Sequence, residues 1–155
     1  MEAMEKLVTN RSSCLDLGSG SGILSIAALR LGAKSAIGVD IDPKAEGIAR
    51  ENAAYNGFSS PEFIALTGNV TTDRPLMERL GQRQYDIVLV NIVADVIISL
   101  APTLPRFLTD GSTLILSGIL DTRLGDVTTA VEQAGLTVTA VYQKEDWRCI
   151  TAKKE

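Results

Sequence analysis

The chain has 155 residues, 45% of them hydrophobic and 22% charged, which fits one globular domain large enough to bury a core without a disulfide or metal staple. It has no histidine, which excludes Ser-His-Asp and Cys-His catalysis and removes the commonest transition-metal ligand. The net charge of -4 argues against the basic surface of a direct nucleic-acid binder, and no apolar run approaches the ~20 residues needed to span a bilayer.

In chain order, short β-branched runs alternate with helical stretches. Ser12 to Leu17 reads as a buried strand, followed by a helix over Gly22 to Leu31 that Gly32 stops. Ser35 to Asp40 is a second strand. Asp42 reads as an N-cap with Pro43 at the first helical position, opening a helix that runs to about Tyr55 and ends at Asn56-Gly57. Glu62 to Leu66 is a third strand, and a short helix lies around Pro75 to Leu80. Tyr85 to Val90 reads as a strand covered on both faces. Ala94 to Leu108 is helical in pattern, but Pro102 and Pro105 predict a kink or an early end. Asp110-Gly111 reads as a turn before a fifth strand at Ser112 to Leu116. Asp121 reads as the cap of a helix with Leu124, Val127, Val131 and Ala134 on one face, stopped by Gly135. Leu136 to Tyr142 and Trp147 to Ala152 close the chain as two strands around Lys144-Glu145.

This alternation predicts an α/β fold: an open seven-stranded sheet, mostly parallel, with helices on both faces and a C-terminal antiparallel hairpin. Ligands of such sheets sit beyond the carboxyl ends of the strands. The first strand runs into Asp16-Leu17-Gly18-Ser19-Gly20-Ser21-Gly22. Glycines at alternate positions permit a tight turn and close approach of a ligand to main-chain N–H groups, and the helix N-terminus that follows attracts an anion. The dinucleotide fingerprint G-x-G-x-x-G fails, because its third glycine would fall at Ile23. Asp16 suits an acidic group placed to meet an α-amino group. This D-x-G-x-G-x-G run resembles motif I of class I S-adenosylmethionine methyltransferases.

Asp40 ends the second strand, 22 residues after Gly18, where a carboxylate takes ribose hydroxyls in NAD and S-adenosylmethionine folds alike. Ile41 follows it. Asn69 and Val70 follow the third strand. Many class I methyltransferases carry Gly-Asp there, and the Asn69 amide oxygen can still accept a hydrogen bond from an adenine amino group. Asn91 and Ile92 follow the fourth strand, where the acceptor should meet the methyl group. An Asn carbonyl, aided by the next backbone carbonyl, can hold an amine and aim its lone pair; the alternative is that Asn91 merely caps the next turn. Trp147 is the single tryptophan, by type more often core or rim than site. Cys14 and Cys149 read as small hydrophobes.

The stretches LDLGSGSGILSIAALRLGAKSAIGVDIDPKA, RENAAYNG, YDIVLVNIVADVI, LAPTLPRFLTDGSTLILSGIL and EDW together resemble the methyltransferases of large-subunit ribosomal protein eleven over nearly the whole chain. The resemblance implies transfer of methyl groups from S-adenosylmethionine, leaving S-adenosylhomocysteine and using no metal, to lysine and N-terminal amino groups of that basic protein in the cytoplasm. It implies a cofactor site of Asp16, Gly18, Ser19, Gly20, Gly22, Asp40, Ile41, Asn69, Val70 and Asn91, with Asn91, Ile92 and Trp147 at the reacting centre. Relatives in the family also carry an N-terminal substrate-recognition domain and a Gly-, Thr- and His-rich segment before the helix that matches Met1 to Leu7. The expectation is therefore of the catalytic domain without either. Two other readings stay open: a methyltransferase of the same fold acting on a small molecule or another protein, and a cofactor-binding module without independent activity.

Overall fold

The computed structural model describes residues 1–154. Seven strands form one sheet in the order β3-β2-β1-β4-β5-β7-β6. The elements are α1 (Glu2–Leu7), β1 (Ser13–Leu17), α2 (Ile23–Arg30), β2 (Ser35–Asp40), α3 (Pro43–Tyr55), β3 (Phe63–Thr67) and α4 (Arg74–Leu80). They continue with β4 (Tyr85–Asn91), α5 (Ala94–Leu100), β5 (Leu108–Leu120), α6 (Leu124–Gln133), β6 (Leu136–Lys144) and β7 (Trp147–Lys154). β1 pairs in parallel with β2 and β4, β2 with β3, and β4 with β5. β7 runs antiparallel to both β5 and β6. The predicted α/β architecture and terminal hairpin are therefore those observed.

The two-residue period of the strands divides the core between the two faces of the sheet. Leu15, Leu17, Val88, Val90, Leu114 and Leu116 pack towards α4, α5 and α6. Cys14, Ile87, Leu89 and Ile115 pack on the other face with α1, α2 and α3. There α3 offers the buried alanines Ala45, Ala49 and Ala53, one per turn, and their small side chains let it lie close to the sheet. Asp42 caps α3 by accepting from the Lys44 N–H at 2.9 Å, with Pro43 beside it. Such a cap contributes about 1 kcal/mol.

Two expectations change, at Asp110-Gly111 and at Asp121. Asp110-Gly111 is not a turn between elements: β5 is continuous from Leu108 to Leu120. The pairing with β4 jumps from Tyr85↔Leu108 to Ile87↔Thr113, so the dipeptide swells out of the strand as a bulge. Ser112 closes it, accepting from the Thr109 N–H at 2.8 Å and donating to the Tyr85 carbonyl at 2.6 Å. Asp121 does not cap α6 with its side chain. A 3₁₀ turn, Asp121–Arg123, intervenes, and the Asp121 carboxylate pairs with Arg148 of β7 at 2.8 Å. The helix after β4 ends at Leu100, and the two prolines fall in a 3₁₀ segment, Ala101–Phe107. Here the loss of the proline N–H groups has the predicted effect.

Among the described residues no helix is long and apolar enough to cross a membrane. Cys14 is buried, and burial pushes its thiol up to about 12.

Candidate active site

The strand order reverses between β1 and the central strand β4, so the connections leaving their carboxyl ends part and open a crevice. The loop after β1 is held there by its neighbours. The Gly18 and Ser19 N–H groups both donate to the Val39 carbonyl, at 2.8 and 3.0 Å, and Gly22 N–H donates back to the Ser19 carbonyl at 2.8 Å. Gly18, Gly20 and Gly22 all have positive φ, at 79°, 52° and 81°, a region in which only glycine is at ease. A Cβ on Gly18 would collide with Ile92, and one on Gly22 would press on Ala49 at 3.1 Å. One on Gly20 would meet nothing within 4 Å, so at Gly20 the loop turns a bare face outward.

Asp40 and the loop are joined directly. One carboxylate oxygen accepts the Gly20 N–H at 2.8 Å, and the other accepts the Asp42 N–H at 2.9 Å. Each oxygen keeps a second lone pair. Ile41 stands beside it with 65% of its surface exposed. Asp16 lies beneath the loop, fully buried, on the strand face that meets α2. One of its oxygens accepts from Ser25 Oγ at 2.8 Å, and the other has no partner. Burial pushes its carboxyl up to about 6, the Ser25 hydrogen bonds pull it down in part, and Asp40 adds a smaller upward push.

The Asn69 amide oxygen accepts the Thr71 N–H at 2.9 Å and the Thr71 hydroxyl at 2.6 Å. Both of its lone pairs are thus engaged, and an adenine amino group would have to displace Thr71. Val70 is half-buried next to it.

Asn91 and Ile92 line a cleft of about 390 Å³ together with Val93, Asp95, Arg123 and Trp147. Trp147 is half exposed and also lines a second cavity of about 410 Å³ with Met1, Ser117 and Tyr142. The structure thus brings Asn91, Ile92 and Trp147 together, and Gly18 against Ile92 links this cleft to the glycine loop. Arg123 donates to Asp95 at 2.6 Å and to Asp126 at 3.1 Å, tying the starts of α5 and α6 across the mouth of the cleft.

Several residues escaped sequence reasoning. Ser25 binds Asp16. Asn52 of α3 donates to the Ser21 carbonyl at 2.9 Å and anchors the loop from behind. Gly38 of β2 leaves room for Ser19, which a Cβ there would approach to 3.0 Å. The RENAAYNG run held the signal for Asn52, an amide on the helix following the acidic strand end. Gly38 carried none beyond a glycine inside a strand.

The site's donor set fits an adenosyl amino acid. The unpartnered Asp16 oxygen suits a cationic amino group, Asp40 a diol, and the bare glycine loop a close approach of main chain and ligand. Among the described residues no cluster of His, Cys, Asp and Glu could hold a metal ion.

Comparison with known proteins gives the same direction. A family profile described as ribosomal protein L11 methyltransferase (PrmA) matches residues 1–155. The ribosomal protein L11 methyltransferase of Agathobacter rectalis is 43% identical over 140 residues, covering 90% of this chain and 43% of that protein. The one from Lachnospira eligens is 35% identical over 156 residues, covering 100% of this chain and 49% of that protein. The chain thus spans about half the length of these curated relatives. The crystal structure of a ribosomal protein L11 methylase from Lactobacillus delbrueckii subsp. bulgaricus superposes with a TM-score of 0.87 at 29% identity, covering 100% of this chain and 77% of that one. An RNA methyltransferase from Salinibacter ruber in complex with S-adenosyl-L-homocysteine shares the fold, with a TM-score of 0.76 at 22% identity over 99% of this chain and 90% of that one. This chain belongs to the ribosomal protein L11 methyltransferase family.

Proposed function

We propose that this chain binds S-adenosylmethionine at the carboxyl ends of β1, β2 and β3 and transfers its methyl group to amino groups of a ribosomal protein, L11 being the acceptor named for its relatives. The observation that carries the reading is the cleft in which Asn91, Ile92 and Trp147 meet, one residue contact away from the glycine loop.

The roles follow from the residue chemistry. Asp40 accepts the ribose hydroxyls with the lone pairs that Gly20 and Asp42 leave over. Ile41 offers an apolar face to the adenine, flanked by Asn69 and Val70. Asp16 faces the amino group of the methionine moiety, and the first N–H groups of α2 face its carboxylate. When bound, S-adenosylmethionine supplies an electrophilic methyl group on a sulfonium. The acceptor must be a neutral amine, and the apolar walls contributed by Ile92, Val93 and Trp147 favour the uncharged form by desolvation. The Asn91 carbonyl and the main-chain carbonyl that follows accept the amine N–H bonds and aim its lone pair. That is catalysis by positioning, with no covalent enzyme intermediate and no metal. The net charge of -4 suits a basic protein partner, and a ribosomal substrate puts the reaction in the cytoplasm.

The test is transfer of labelled methyl from S-adenosylmethionine to purified L11, to other basic proteins and to a panel of small amines. Label on L11, lost in Asp40→Ala, supports the proposal. Label only on a metabolite or another protein replaces the substrate assignment. Binding without transfer to anything makes the chain a cofactor-binding module.

A further inference from the structure

β5 breaks register with β7 at the floor of the acceptor cleft. Leu116 faces Ile150 and Ile119 faces Arg148, so Ser117 and Gly118 together oppose the single residue Cys149. This is a β-bulge, and Gly118 sits in it with φ of 76°. On the other side of β5, Ser117 is the pairing partner of Asn91. The Asn91 carboxamide therefore lies directly over Gly118: a Cβ there would stand 2.7 Å from Asn91 Oδ1 and 3.8 Å from the Ile92 carbonyl oxygen. The nearer separation is too short for any carbon–oxygen contact, so even one methyl group at this position must push the carboxamide aside. Gly118, like Trp147, lines both cavities.

We propose that Gly118 is a positioning residue for methyl transfer: its bare Cα, presented by the β5 bulge, leaves the space in which the Asn91 carboxamide takes the orientation that aims the acceptor amine. The inference rests on the reading of Asn91 as the acceptor clamp. A positive φ alone would also select glycine here, so the experiment has to separate the two reasons. Gly135 supplies the control. It too has a positive φ, of 85°, but a Cβ on it meets nothing within 4 Å, so Gly135→Ala carries the backbone strain without touching the site.

The full chain, loaded with S-adenosylmethionine, is compared as wild type, Gly118→Ala, Asn91→Ala, the double variant and Gly135→Ala, with L11 as acceptor. The expected result is a kcat at least tenfold lower for Gly118→Ala, with the acceptor KM and cofactor Kd within about twofold of wild type. The double variant should be no slower than Asn91→Ala alone, because two changes acting through one group are not additive. Gly135→Ala should keep the wild-type kcat. If the Gly118→Ala and Asn91→Ala penalties multiply in the double variant, or if Gly118→Ala turns over at the wild-type rate, the proposal is overturned. A measurement on the wild-type protein needs neither a folded variant nor turnover. The Asn91 side-chain amide, assigned by its loss in Asn91→Ala, should show a single rotamer with nuclear Overhauser contacts to the Gly118 α-protons; rotamer averaging there overturns the proposal. Absence of wild-type transfer to any acceptor would instead strike the functional reading, with the rotamer measurement still deciding the role of Gly118.

Discussion

Ser25 Oγ donates to Asp16 at 2.8 Å, and both residues are sealed from solvent while the second Asp16 oxygen goes without a partner. A carboxylate so placed opposes folding and favours a cationic ligand, which gives two predictions of opposite sign. Burial raises its folded pKa from 3.8 to about 6. Folding therefore favours the protonated form. The stability this provides is complete below about pH 4 and is lost as pH rises through about 6, at a cost of about 3 kcal/mol at neutral pH. Asp16→Asn imitates the protonated acid, with an NH₂ in place of the O–H. We expect it to be more stable than wild type at pH 7 by up to this amount, with the difference vanishing near pH 4, and to bind S-adenosylmethionine more weakly. Urea melts at the two pH values and a calorimetric titration check both.

In the proposed function Asp40 serves both the loop and the ligand; its oxygens already take the Gly20 and Asp42 N–H groups. A hydrogen bond from a ribose hydroxyl to this carboxylate would be worth about 1.5–3 kcal/mol. Asp40→Ala should therefore weaken cofactor binding by at least tenfold. Because Asp40 is partly exposed and outside the core, its melting temperature should fall by only a few degrees. Equal loss of stability and of affinity would show that Asp40 is a folding residue.

Trp147 is the only tryptophan in the chain and lines both cavities. Its emission therefore reports on the cleft without a label. Addition of the acceptor protein to the cofactor-loaded chain should shift or quench it. Trp147→Ala should raise the acceptor KM several-fold while leaving cofactor affinity within about twofold, and Trp147→Phe should recover most of the difference. An emission spectrum indifferent to the acceptor would remove Trp147 from the substrate surface.

The Arg123 bridges to Asp95 and Asp126 bind the rim of the cleft, but the carboxylates are largely exposed and such pairs contribute little to stability. Arg123→Ala should leave the melting temperature nearly unchanged. Its effect should appear in the acceptor KM, whose dependence on salt should steepen as Asp95 and Asp126 are uncovered to a basic partner.

The fold and the cofactor loop were legible because their signals are local. Asp42-Pro43 sets the start of α3 by its own chemistry, Gly32, Gly57 and Gly135 end helices in the positive-φ conformation that predicts them, and the glycine spacing after β1 is a backbone requirement. What stayed hidden depends on neighbours distant in sequence. Asp110-Gly111 has the same composition whether it turns the chain or swells within a strand, and the β4 register decides for the bulge. Asp121 looked like a cap until Arg148, far along the chain, claimed its carboxylate. Asn69 offers a free acceptor by residue type alone, yet Thr71, two residues on, fills both lone pairs. The closeness of Gly118 to Asn91 arises only when β4 and β5 pair.

Isothermal titration of the purified protein with S-adenosylmethionine, with NAD as the control, asks whether this chain is built to hold that cofactor. Binding of S-adenosylmethionine should be saturable and one-to-one, should weaken in Asp40→Ala, and NAD should give no heat. Saturable binding of NAD, or no binding of S-adenosylmethionine by a chain shown to be folded, would contradict that reading.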